Sequence, residues 1–482
     1  MSLRRRATSG FVWTFAQQFG NQLVNFIVSV ILARILLPAE FGLIGMIAVF
    51  IAMGNTLLNT GLPQSLIRSK ETAEEDYSTI FYFNLIASII LYITIFLLAP
   101  FIATFYDQPI LTQIVRVYSS TFIISAFGAV QVAKLTKEMD FRRQTLIAIP
   151  AGTLGGAIGI FMAYRGYGVW SLVWSSIFTI AMNTGLLWIF STWRPSWIFN
   201  YSKFKDHFNF GYKLTLSGLL DKIFNNLFII VIGKFFSPAQ VGFYTRAETM
   251  KQLPVTNISN ALNKVTYPLF AVIQDDDLRL KNVYRKLMKM VLFVVAPSLV
   301  FLAVLAEPTF RYLFTEKWLP AVPYFQILCA TGILYPLHAY NLNILKVKGR
   351  SDLFLKLEVV KKIIIVSAVI IALQFGILAL LYGQVIISVL AFFINSYYSG
   401  KFINYPAAQQ IKDIIPILVL SVIAGGIVWF LDTIFFNEVL DLIRILLGGV
   451  TGLLLYLGIS YLLKFKSLFE LTNLIIKNDP RN

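Results

Sequence analysis

The sequence predicts an all-α polytopic membrane protein: about fourteen transmembrane helices, in two parallel six-helix lobes around a central cavity, plus C-terminal helices. Three observations carry this expectation. Hydrophobic residues make up 57% of the 482 and charged residues only 13%, with a mean hydropathy of +0.72. A soluble domain is nearer 45–50% apolar and about 25% charged. The apolar residues form continuous runs of about twenty, enough for a helix to cross roughly 30 Å of hydrocarbon, rather than the alternating segments of about ten that mark a barrel. Finally, the basic residues concentrate on every second connection. Disorder, secretion as a soluble protein and a disulfide scaffold are excluded.

The spans are expected near 11–33, 41–64, 80–104, 113–135, 145–164, 169–190, 210–233, 241–267, 290–314, 320–345, 355–375, 377–400, 413–436 and 443–463. The first follows "MSLRRRATSGFVW". No small-residue cleavage site follows a short apolar core, so this stretch reads as a retained helix, not a signal peptide. Thirty of the 41 Lys and Arg then fall on the side of the N-terminus. Six fall on the other side: Arg34, Arg165, Lys234, Arg311, Lys317 and Arg444. Five lie within spans. A miscounted helix would invert every later loop, so the bias supports the span count and places both termini in the cytoplasm. The net charge of +17 therefore orients the chain and does not indicate nucleic acid.

The halves repeat at an offset of two hundred positions. "ILLPAEFGL" after the first span matches "FFSPAQVGF" after the seventh, pairing Pro38, Ala39 and Gly42 with Pro238, Ala239 and Gly242. Asn25 pairs with Asn225. Six spans per repeat leave the repeats in one orientation. The expected organisation is an N-lobe over 1–190, a basic cytoplasmic linker over 191–209, a C-lobe over 210–400, and two additional helices with a basic tail over 401–482. The linker "STWRPSWIFNYSKFKDHFN" reads as interfacial. The stretch "QDDDLRLKNVYRKLMK" reads as a helix opened by Asp275–Asp277 and continuing as a basic amphipathic segment on anionic lipid.

Polarity inside the spans locates the candidate site. Gln17, Gln18, Asn21, Gln22 and Asn25 share one face of the first span. Ser217, Asp221, Lys222, Asn225 and Asn226 occupy equivalent positions of the seventh. Such stripes face protein or a water-filled cavity, not lipid. Helix-to-helix amide bonding is the competing reading. Charged residues deep in spans are Arg116, Asp221, Lys222, Arg246, Glu248, Lys251 and Lys264, five cations against two acids, with Glu307 and Asp432 near outer ends left aside. Glu248 and Lys251 are spaced to pair with each other. Arg116 and Lys264 lie near span ends and can snorkel. Lys222 and Arg246 are the hardest to explain by packing. A cationic cavity suits an anionic substrate such as a phosphate or pyrophosphate.

Other chemistries find no support. The single Cys329 precludes a disulfide framework, and His207 and His338 are too few for a metal site. His338 reads as a hydrogen-bonded packing residue. No GxxxxGK[ST] motif occurs, so ATP is not expected as a direct energy source. No cofactor is expected.

The opening "RRRATSGFVWTFAQQFGNQLVNFIVSVILARILLPAEFGLIGM", the later "NTGLPQSLIRSKE" and "YKLTLSGLLDKIFNNLFIIVIGKFFSPAQVGFYTRAETMKQLP" resemble the Wzx-type polysaccharide exporters, more closely their colanic and teichuronic acid branch, in the multidrug/oligosaccharidyl-lipid/polysaccharide exporter superfamily. The likeness runs over most of residues 1–400. It implies a flippase that moves an undecaprenyl-pyrophosphate-linked repeat unit across the bacterial inner membrane by alternating access, in company with polysaccharide-assembly proteins. In that reading Lys222, Arg246 and Arg116, with Lys264, hold the pyrophosphate. Gln18, Asn21, Asn25, Asn225 and Asn226 bond sugar hydroxyls. Asp221 and Glu248 are candidates for ion coupling. The lipid tail stays in the bilayer, along the last two helices. A cation-coupled drug antiporter of the same superfamily is the rival, disfavoured because every first-half acid lies in a loop. A membrane polymerase or ligase is a weaker rival: each outer loop is under about ten residues and carries no nucleophile–base pair.

Overall fold

The computed structural model describes residues 3–59, 61–69 and 72–477; within these, the side chains of residues 3–9, 11, 59, 210, 213, 214, 257–265, 267 and 474–477 are not described. The described residues are predominantly helical, with no strand among them. It divides into two compact units, Met1–Gly242 and Phe243–Asn482.

The first unit runs α1 (Leu3–Ile35), α2 (Pro38–Asn59), α3 (Leu62–Arg68), α4 (Glu74–Phe105), α5 (Ile110–Tyr118), α6 (Ser120–Lys137), α7 (Phe141–Tyr164), α8 (Val169–Phe190), α9 (Tyr201–Asn225) and α10 (Leu227–Phe235). It ends with the first residues of α11 (Pro238–Val272). Helix α7 packs along both α1 and α8, and α4 lies against α5 and α6. Short α3 rests on α6 and α9. Aromatic rings fill the seam where Tyr77 and Phe81 of α4 meet Trp188 and the buried Trp193. Of the stretch 191–209, residues 191–200 are non-helical and Tyr201 already opens α9. That connection is pinned to α4: the Ser196 and Asn200 amides donate to the Ser78 and Thr79 hydroxyls.

The second unit continues α11 and adds α12 (Asp277–Val304), α13 (Ala306–Phe314), a 3-10 turn (Glu316–Ala321), α14 (Val322–Val347), α15 (Ser351–Leu373), α16 (Ile377–Phe402), α17 (Ala407–Phe435), α18 (Asp441–Leu462) and α19 (Lys466–Lys477). Helix α14 packs between α12 and α16, and α17 between α12 and α18. The expected acidic start is seen: Asp276 caps α12 by accepting the Arg279 amide. Capping by side-chain oxygen satisfies amides that the helix itself leaves orphaned.

Ten helical segments among the described residues are long and apolar enough to cross a membrane, or eleven with one bent pair counted as a span. The bent pair is α9 with α10, broken at Asn226 by 47°. Where one span was expected over 290–314, α12 ends at Val304 and α13 begins at Ala306. Helices α11 and α15 exceed twenty residues but carry clustered charges, and α1 carries the amide stripe.

The repeat motif shows why it needs its residues. Glu40 accepts the Leu37 amide at 2.7 Å, and Gln240 accepts the Ser237 amide at 3.0 Å, so both motif helices open on the same cap. The two motif segments also meet. A β-carbon on Gly42 would collide with the Pro238 carbonyl oxygen, and one on Gly242 with that of Pro38. Small residues at such seams let backbones approach closely.

Candidate functional site

The break at Asn226 gathers four of the expected residues on the first unit. Asp221, Lys222 and Asn225 occupy the last turn of α9, and all three are exposed. The Asn226 side chain turns back and donates to the Lys222 carbonyl at 2.8 Å. The same carbonyl also accepts the Asn226 backbone amide at 3.2 Å, so both bonds fasten the end of α9. Two adjacent asparagines so stop one helix and start the next. A cation on a broken helix, within an otherwise apolar stretch, is the arrangement expected where a charged group of a substrate is met.

The stripe on α1 lies at the surface of the first unit. Gln18 and Asn25 are exposed, and Gln17, Asn21 and Gln22 are partly so. No hydrogen bond joins these five amide side chains to other described residues.

The remaining charges are packed differently. Arg116, on α5, lies 4.3 Å above the Phe96 ring, and its Nε donates to the Phe96 carbonyl at 3.3 Å. It is held against α4. In the second unit Arg246 is 7% exposed. Its guanidinium sits between the rings of Phe314 and Trp318, at 4.8 and 5.0 Å. A cation enclosed by aromatic faces is stabilised by their quadrupoles. Lys251 is buried and pairs with Glu248 at 2.7 Å, with Gln252 donating to the other Glu248 oxygen. The pairing expected from their spacing is therefore present. The Lys264 side chain lies outside the described residues.

Sequence reasoning missed two features of the first unit. One is a cavity of about 540 Å³ among α2, α4 and α9, lined by Leu57, Phe83, Ile90, Phe208, Tyr212 and Leu216 with other, mostly apolar residues and the threonines Thr94 and Thr215. Its walls are mostly hydrocarbon, so it suits an acyl or prenyl chain. Below it Gly61 and Gly211 touch: a β-carbon on Gly61 would lie 2.8 Å from the Gly211 carbonyl oxygen. The other is a buried polar cluster at the start of α4. His207 Nδ1 lies 2.7 Å from Ser65 Oγ and Nε2 3.2 Å from Asp76. Lys203 approaches the same carboxylate at 3.5 Å. The Ser65 hydroxyl donates to the Leu62 carbonyl, which leaves it no proton to give His207. The cluster ties α9 to α3 and α4; it is not a nucleophile with its base. The only sequence hint was a lone histidine in a basic, aromatic segment.

A family model described as a polysaccharide biosynthesis protein matches residues 31–323. The chain is 26% identical over 405 residues to the lipopolysaccharide biosynthesis protein WzxC of Escherichia coli (strain K12), covering 82% of each chain. It is 26% identical over 466 residues to the teichuronic acid biosynthesis protein TuaB of Bacillus subtilis (strain 168), covering 95% of each. Among solved structures, the inward closed conformation of the lipid II flippase MurJ superposes with a TM-score of 0.75 at 14% identity, covering 94% of this chain and 99% of that one. An inward-facing multidrug resistance MATE family transporter of the MOP superfamily gives 0.61 at 17% identity, with coverages of 79% and 95%. The fold is thus of that superfamily's type.

Proposed function

Because the chain belongs to the polysaccharide biosynthesis protein family, we propose that it is a flippase for an undecaprenyl-pyrophosphate-linked oligosaccharide repeat unit, serving surface polysaccharide synthesis by alternating access. The observation that carries the reading is Lys222 standing exposed on the broken helix α9, beside Asn225 and Asp221. The cation takes the pyrophosphate, and the amides of Asn225 and of Gln18, Asn21 and Asn25 take sugar hydroxyls. The lipid-walled cavity beside α9 takes part of the prenyl chain. Relatives named for lipopolysaccharide and teichuronic acid biosynthesis support the substrate class.

In this reading the protein sits in the bacterial inner membrane with fourteen crossings, α1, α11 and α15 completing the set, and with both termini cytoplasmic. Its basic loops meet anionic lipid. It transports and does no covalent chemistry. A drug antiporter is less well supported. Among the described acids before Asp221, Glu40, Glu74, Glu75 and Asp76 lie at helix starts, Asp107, Glu138 and Asp140 in connections, and Asp206 in the second turn of α9.

The test is deletion followed by analysis of lipid-linked glycans. The expected result is accumulation of one lipid-linked glycan and loss of surface polysaccharide. Unchanged surface polysaccharide, with no such accumulation, overturns the reading.

A further inference from the structure

A second cavity of about 540 Å³ lies in the first unit among α2, α3, α6 and α8. Its character differs from the hydrocarbon cavity. No charged side chain lines it, and the carboxamides of Asn55, Gln64 and Asn183 do. The hydroxyls around them are engaged with backbone carbonyls: Ser125 donates to Phe122, Thr136 to Val132, Thr179 to Ser175, and Thr184 across to Ile124 of α6. The three carboxamides make no hydrogen bond to any described residue. Each carries two donors and two acceptor sites. Three such groups converge on one uncharged space while Ile67, Val132 and Ile180 supply apolar wall.

From this arrangement we infer that the cavity is a sugar subsite. It receives an uncharged sugar residue of the lipid-linked glycan; this rests on the flippase reading above. Carboxamides pair with vicinal hydroxyls as donor and acceptor at once, and the apolar walls meet the C–H faces of a pyranose ring. The absence of a cation disfavours the phosphate end of the substrate. The volume falls within the range of about 300–1,000 Å³ usual for small-ligand sites.

The neighbourhood fits an amphiphile. The segment from α2 through α3 contributes to both cavities: Leu57, Leu58 and Leu62 line the hydrocarbon one, while Asn55, Pro63 and Gln64 line the carboxamide one. Residues of α2 and α3 thus line both a chain-binding compartment and a hydroxyl-binding one. Asn55 lies near the end of α2, and Thr136 near the end of α6 that carries Lys134 and Lys137. The cavity therefore occupies the half of the unit next to the basic loops, where the substrate would be loaded.

The experiment uses the full-length protein in nanodiscs and two probes. One is the lipid-linked glycan that accumulates in the deletion strain; the other is undecaprenyl pyrophosphate without sugar. The wild type is expected to bind the glycan-bearing lipid more tightly. Asn55→Leu with Asn183→Leu should weaken that lipid roughly 10–30-fold, the loss of two hydrogen bonds, and leave the bare lipid unchanged. Unchanged bare-lipid binding shows that the variant is folded. Gln64→Leu, at an exposed position of α3, is a second variant with the same expected direction. The inference is overturned if the wild type does not prefer the glycan-bearing lipid, or if folded variants keep the preference. A deletion strain that accumulates no lipid-linked glycan overturns the flippase reading itself, and is thereby distinguished from failure of the subsite alone.

Discussion

Gly42 and Gly242, two hundred positions apart, lie against each other's motif: each leaves room for the carbonyl of the proline that opens the opposite helix, Pro238 for Gly42 and Pro38 for Gly242. Neither carbonyl can retreat without unwinding its own first turn. Gly42→Ala and Gly242→Ala are each expected to lower stability by about 1–3 kcal/mol, the usual cost of overpacking. The double variant should cost less than the two together, since one displacement relieves both clashes. Thermal unfolding in detergent checks both. Additive losses would show that the contacts are independent.

Arg444 and Asp432 join α18 to α17 by two hydrogen bonds of 3.0 and 2.7 Å, with side chains 7% and 6% exposed. Removing one partner strands a buried charge, at about 3–5 kcal/mol. Arg444→Met or Asp432→Asn alone should therefore lower accumulation of the protein sharply, and Arg444→Met with Asp432→Leu should restore much of it. The readout is protein level in membranes together with melting temperature. A double variant as poor as either single one would count against the account.

Lys222 and Arg246 should separate when each is replaced. Lys222 is exposed, so Lys222→Ala should change stability by no more than about 0.5 kcal/mol while export falls. Arg246 is enclosed by Phe314 and Trp318. Arg246→Ala should lower stability by about 2 kcal/mol through lost cation–π contact and packing. Surface polysaccharide per unit of protein is the measurement. Normal export from a fully expressed Lys222→Ala, Arg246→Ala double variant would rule out the pyrophosphate role.

His207 bridges Ser65 and Asp76 from the start of α9. His207→Leu leaves the Asp76 carboxylate buried with one fewer partner, and should cost about 1–3 kcal/mol. His207→Leu with Asp76→Leu should cost less than the single change. Limited proteolysis within 191–200 would report the loosening, with faster cleavage in the single variant. Unaltered cleavage would mean that the ring contacts of Tyr77 and Phe81 with Trp193 hold that connection without the histidine.

Much of this was legible in the sequence, for local reasons. Long apolar runs and one-sided basic loops mark spans without knowledge of neighbours, and i, i+3 spacing sufficed for the Glu248–Lys251 pair. The P-A-x-x-G repeat was visible as a pattern, and its physical reason appeared only when the two copies were seen in contact. The break at Asn226 was hidden because two asparagines in an apolar stretch barely alter a hydropathy profile. Helix α3 spans seven residues, too few to show a period. Arg246 was read as an unexplained cation because its rings lie far along the chain. His207 appeared isolated for the same reason, whereas His338, read as a hydrogen-bonded packing residue, lies 3.0 Å from the Ser388 hydroxyl.

The seam between Gly61 and Gly211 has a mechanical consequence. Fifteen residues separate Gly211 from Asn226, about 22 Å of helix at 1.5 Å per residue. Helix α9 is thus a lever, clasped backbone to backbone near one end and bent by 47° into α10 at the other. A swing of about 10° at the clasp carries the last turn through about 4 Å. That turn bears Asp221, Lys222 and Asn225 together, so the charge and the amide beside it travel as a unit. A slight rotation at a junction without side chains is geared up into a stroke longer than a hydrogen bond.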